Sequence, residues 1–162
     1  MTGSDATIGY MERTRLYYRA LGYANDYVWS HYDDVPFAHL SRPLAESRIG
    51  VVTTSSPGDR TNRDKAGRKH VWSGAVAPPP ETWFTDDLAW DKESTHMRDR
   101  ESFLPLATLA GLAGEGLFAG LTPHFHGVPT DYSQRRTLDE DAPALLNLLR
   151  DERADGVLLF PI

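Results

Sequence analysis

The chain has 162 residues, 40% of them hydrophobic and 25% charged, with a formal net charge of -6. That length and balance fit one globular domain with a real core, and the acidic excess leaves no basic face to displace counterions from nucleic acid. Cysteine is absent, which excludes a disulfide framework and thiol chemistry within these residues. No run approaches the ~20 apolar residues that span a bilayer, and the N-terminus lacks the basic-then-apolar order of a secretory signal, so the cytoplasm is the expected compartment.

In chain order, "YMERTRLYYRALGY" (Tyr10–Tyr23) sets Leu16, Tyr17, Ala20 and Leu21 among Glu and Arg, the pattern of an amphipathic helix ended by Gly22. His31–Ser47 carries two prolines and mixed polarity and is expected to be an ordered connection. "RIGVVTTSS" (Arg48–Ser56) is apolar to Val52 and then hydroxyl-rich, as in a strand running into a polar loop. Pro57–Lys69 is polar and locally basic but lacks the glycine spacing of a phosphate loop, so a solvated loop is expected. "SGAVAPPPETW" is expected to be an extended connector, with "DLAW" a second short strand.

"SFLPLATLAGLAGEG" (Ser102–Gly116) predicts a helix with Ser102 as cap, Pro105 in the first turn and Leu106, Leu109, Ala110 and Ala113 on its packing face. "LFAGLTPHFHGVPTDYSQRR" reads as a loop with one possible strand. "TLDEDAPALLNLLRDERAD" predicts a helix that begins with acidic residues and buries Leu145, Leu148 and Leu149. "ADGVLLFPI" (Ala154–Ile162) closes with a wholly apolar run, as in a buried parallel strand covered on both faces. The expected fold class is therefore α/β: an open, mostly parallel sheet with flanking helices, a flavodoxin-like half, in a single domain over residues 1–162.

His124 and His126 stand two apart, so an extended backbone projects both imidazoles to one face, as a zinc or iron site requires. A third ligand would come from Asp91, His96 or Asp99, although no HExxH or Cys/His spacing accompanies them. The alternative is that these histidines hydrogen-bond the loop and helix ends. Arg135 or Arg136 has the chemistry to fork onto a carboxylate. No nucleophile elbow, phosphate loop or dinucleotide fingerprint is present in the sequence.

Several runs together, "RTRLYYRALGY", "DDVPF", "PLAESRIGVVTTS", "THMRDRESFLPLATLAGLAGEG", "HFHGVPTDYSQRRT" and "ADGVLLFPI", resemble the selenoprotein B family of glycine/sarcosine/betaine reductases. That family includes the selenoprotein subunit of D-proline reductase. The likeness extends over nearly the whole chain and is most specific in "HGVPTDYSQR" and "LPLATLAGLAGEG". It implies an oxidoreductase component that cleaves a carbon–heteroatom bond reductively. In the family the strand resembling "VLLFP" runs into a selenocysteine or cysteine, so the nucleophile is expected immediately after Ile162 and none within the chain.

A selenolate there would face the unpaired N–H groups and positive dipole end of a following helix, which favour its anionic form. A neighbouring cysteine would reset it by thiol exchange. On this resemblance the chain is expected to be the N-terminal part of a longer redox domain, read as ending at a UGA codon for selenocysteine, inactive as given and prone to aggregate. His96, Asp99, His124, His126 and Arg135 are implied to shape the substrate pocket. The implied partners are a small amine or amino-acid derivative, a thiol/disulfide reductant and other reductase subunits, with a pyruvoyl group only if a partner supplies it. No cofactor is expected within the chain itself, nor nucleic acid or membrane. A metal-dependent enzyme using His124 and His126, or a non-catalytic subunit or binding module, stays open beside this reading.

Overall fold

The computed structural model of the chain describes residues 9–26, 28, 30–84, 99–130 and 133–161. The chain divides into two compact units, Met1–Phe37 and Ala38–Ile162. In the first, α1 (Tyr10–Ala20) ends where Gly22 takes φ +88°, the left-handed conformation that glycine adopts without steric cost. The Arg19 guanidinium donates to both oxygens of Asp26 at 2.8 and 2.5 Å, and the Tyr18 ring meets those of Tyr17 and Tyr23 edge-on. No side chain of α1 is buried.

The second unit holds the sheet. Its strands are β1 (Arg48–Thr53), β2 (Ser56–Pro57), β3 (Trp72–Ala75), β4 (Trp83–Phe84), β5 (Gly120–Gly127) and β6 (Gly156–Phe160). Its helices are α2 (Leu106–Gly114), the short α3 (Gln134–Arg136) and α4 (Ala142–Asp151). Four strands pair in the order β3-β5-β1-β6. β5 and β6 run parallel to β1, and β3 runs antiparallel to β5. β2 and β4 form a separate antiparallel pair. The fold is thus α/β with a mixed, mostly parallel sheet and flanking helices, as the alternating pattern predicts.

The crossover from β1 goes to one neighbour, β5, and the crossover from β5 passes back over β1 to β6. With right-handed crossovers their helices lie on opposite faces. Leu106 and Leu109 of α2 join Ile49, Val51, Phe103, Leu104, Phe118 and Phe125 in the main core. On the other face Leu149 of α4 is buried and sits where a Cβ on Gly50 would project. Leu145 and Leu148 of α4 are half-buried beside it, in line with expectation.

The structure corrects four expectations. "VLLF" is apolar but not buried: Val157, Leu158 and Leu159 of β6 are 41%, 39% and 68% exposed at the edge of the described sheet. Composition reports a strand's apolarity, not its place in the sheet. The connector "SGAVA" overlaps β3, which starts at Trp72 and is stabilised by cross-strand packing on β5 and not by its own propensity. Ser102 does not cap α2: its hydroxyl donates to the Asp99 carbonyl, while the Glu101 carboxylate accepts from the backbone N–H groups of Ala107 and Thr108 at 3.1 Å. Ala110 is exposed, and Leu112 packs on the core in its place. "DLAW" lies outside the described residues.

Candidate functional site

The carboxyl ends of β5, β1 and β6 come abreast, with Thr53 in register with Gly127 on one side and Phe160 on the other. In open α/β sheets this edge is where ligands bind. Here it is polar and closed in: Thr53, Ser55, Ser56 and Asn62 are all buried. The Ser55 N–H donates to the Thr53 hydroxyl at 3.2 Å, and the Asn62 amide donates to the Ser56 hydroxyl at 3.4 Å. The Asn62 side-chain carbonyl is buried with no hydrogen-bond partner among the described residues.

Two loops meet beside these groups. Lys69, from the loop between β2 and β3, donates to the Thr130 hydroxyl at 3.1 Å, and the Arg136 guanidinium donates to the Lys69 carbonyl. The helix carrying Arg136 starts earlier than its acidic run, because the Ser133 hydroxyl accepts from the Arg136 N–H as cap. A π segment over Thr137–Asp141 then brings Arg136 and Asp141, five residues apart, to one side. Both are buried, with Arg136 Nη2 3.8 Å from Asp141 and Nε 3.4 Å from Glu140. Arg136 is therefore engaged within the fold, whereas Arg135 is exposed.

The other expected site residues lie apart from this edge. Asp99 is exposed and closes the turn before α2 by accepting from the Glu101 N–H at 3.0 Å. His96 and Asp91 lie outside the described residues. His124 and His126 do share one face of β5, and both meet a group that the spacing of the histidines does not reveal, Glu152 at the C-terminal end of α4. His124 Nδ1 is 2.6 Å from Glu152 Oε1, and the His124 N–H donates to Oε2 at 3.3 Å. His126 Nε2 stands 3.8 Å from Oε2. His126 is 1% exposed, and its Nδ1 lies 2.9 Å from the hydroxyl of Ser73 on β3.

Burial, the largest influence, pushes the His126 pKa below its ordinary value; the Glu152 carboxylate works against this and His124 with it. The bond from His124 to a helix-terminal carboxylate matches the hydrogen-bonding alternative for these histidines. Among the described residues, no three His, Cys, Asp or Glu side chains are grouped to hold a metal ion, and no helix is long and apolar enough to cross a membrane. Comparisons with protein-family models, curated proteins and solved structures give no match to this chain.

Proposed function

We propose that the chain is the sheet-bearing part of a selenoprotein-B-like reductase component, in which a selenolate or thiolate following β6 cleaves a carbon–heteroatom bond of a small substrate. One observation carries the reading: β6 runs parallel to β1 and in register with it, so Phe160 at its carboxyl end stands at the edge where Thr53, Ser55, Ser56 and Asn62 are buried. A nucleophile at that edge meets hydroxyl and amide groups able to hold a polar substrate, and a helix beginning there would stabilise its anion. The apolar, exposed β6 agrees with a strand that takes cover from further structure.

In this reading the chain's own residues bind and orient. The Asn62 carbonyl, unpartnered among the described residues, accepts an N–H of an amine or amino-acid derivative, and the hydroxyls of Ser55 and Ser56 receive its polar end. Arg136 holds the two flanking loops in place through Lys69 and Asp141 and does not itself contact substrate. Oxidised chalcogen is returned by an external thiol reductant, and further reductase subunits supply any pyruvoyl group; the setting is the cytoplasm. The test is the coding sequence beyond codon 162. A UGA or cysteine codon at 163, followed in frame by a Cys-x-x-Cys-like run, is expected. A UAA or UAG codon there, or a following frame without cysteine, overturns the reading.

A further inference from the structure

The β3–β5 ribbon carries a second constellation, independent of the reductase reading. We propose that Ser73, His126 and Glu152 form a nucleophile–base–carboxylate relay able to transfer an acyl group from a small activated ester to the Ser73 hydroxyl.

Three observations carry it. First, Ser73 is exposed, and its hydroxyl lies 2.9 Å from His126 Nδ1, within the reach a general base needs. Ser73 and His126 are cross-strand partners. Because Val76 donates to the Pro123 carbonyl, the pairs alternate so that Ser73–His126 falls on a non-hydrogen-bonded pair, where side chains stand closest. Second, Glu152 selects the tautomer. An unprotonated His126 Nε2 would point its lone pair at a carboxylate 3.8 Å away. The proton therefore sits on Nε2, Nδ1 is left as the basic nitrogen, and Ser73 donates to it. Third, His126 is almost wholly buried, so the neutral imidazole is its resting state and the carboxylate gains most when the ring charges.

The step balances without a co-reactant other than water. Ser73 Oγ forms a bond to the acyl carbon as its proton passes to His126 Nδ1, and the imidazolium charge is stabilised electrostatically by the Glu152 carboxylate 3.8 Å from Nε2, a separation longer than a hydrogen bond. The ester C–O bond breaks and the departing oxygen takes the proton from Nδ1. Water then repeats the cycle, releasing acid and restoring the serine. On the same pairing, the Ser73 backbone N–H is directed away from β5 and can donate to the developing oxyanion. His124 engages both oxygens of Glu152, Oε1 through Nδ1 at 2.6 Å and Oε2 through its backbone N–H at 3.3 Å, and so acts as a positioning residue.

The experiment is covalent labelling of the full chain with a fluorophosphonate, read by intact mass and peptide mapping. Here the Oγ–P bond forms, P–F breaks and the proton again goes to Nδ1. One adduct at Ser73 is expected, lost in Ser73→Ala and formed at least about 100-fold more slowly in Glu152→Gln and His126→Gln. Ser73→Ala alters an exposed side chain, and the unaltered protein alone decides the first point, so a misfolded His126 variant leaves the test intact. No adduct on folded protein, an adduct at another residue, or an unchanged rate in folded Glu152→Gln overturns the proposal.

Discussion

The two faces of the β3–β5 ribbon are built from alternate residues of the same two short strands and have nothing chemical in common. Trp72, Gly74, Phe125 and Gly127 face the core, where the Phe125 ring meets Trp72 edge-on at 5.3 Å and Trp83 at 5.5 Å. The glycines there are required by close approach. A Cβ on Gly127 would overlap the Trp72 indole, and one on Gly74 would overlap the Phe125 ring. On the opposite face His124 and His126 approach Glu152, and Ser73 meets His126. The first face is held by area and shape, the second by a few directed polar contacts. The ribbon's stability therefore resides on one side and its reactivity on the other.

Substitutions can break that division or sharpen it. The largest effect is expected from Phe125→Ala, which empties the fully buried centre of the aromatic face and costs about 3–5 kcal/mol, read as a fall in the urea midpoint. Gly127→Ala, forcing a methyl group into the Trp72 ring, costs about 1–3 kcal/mol by the same measurement, together with a shifted tryptophan emission. Glu101→Ala removes the acceptor at the start of α2, the helix on the aromatic side, and costs about 1 kcal/mol.

The polar face gives smaller and different signals. The pKa of His126 is lowered in the folded protein from its ordinary 6.5. Its contribution to stability is therefore complete above that pH and declines as the pH falls, because the unfolded chain takes a proton that the folded chain refuses. Urea midpoints at about pH 7.5 and about pH 5.5 should differ less in His126→Gln than in the unaltered chain; an equal difference would contradict the assignment. Smallest is Ser73→Ala, expected to leave stability within about 0.5 kcal/mol while abolishing the fluorophosphonate adduct.

The same contrast explains what was legible in the sequence. Periodic apolar spacing marked α4 and α2, and the run "IGVV" marked β1, because burial on one helix face or in a central strand repeats at a fixed interval, while α1 shows the helical period although none of its side chains is buried. β3 was hidden, since Trp-Ser-Gly-Ala has little strand character and is held by what its glycine and tryptophan meet on β5. The exposed position of β6 was hidden too: "VLLF" and "IGVV" look alike, and only pairing tells an edge from a centre. At the polar face the His124/His126 spacing was readable, but Glu152 lies 28 residues beyond His124. One signal did point to it. A carboxylate at a helix C-terminus opposes the helix dipole and calls for a compensating partner. The buried Arg136, next to the exposed Arg135, could not be told apart without the π segment that turns it inward.

The account of function rests on the carboxyl edge of β5, β1 and β6, and mass spectrometry of the polypeptide from its native source, after treatment with iodoacetamide at mildly acidic pH, tests it most directly. A chain that continues past Ile162 into a selenocysteine or cysteine at position 163, alkylated there because its anion is stabilised, is the predicted result. A native polypeptide ending at Ile162, or one that carries no selenium or sulfur nucleophile at that position, would contradict it.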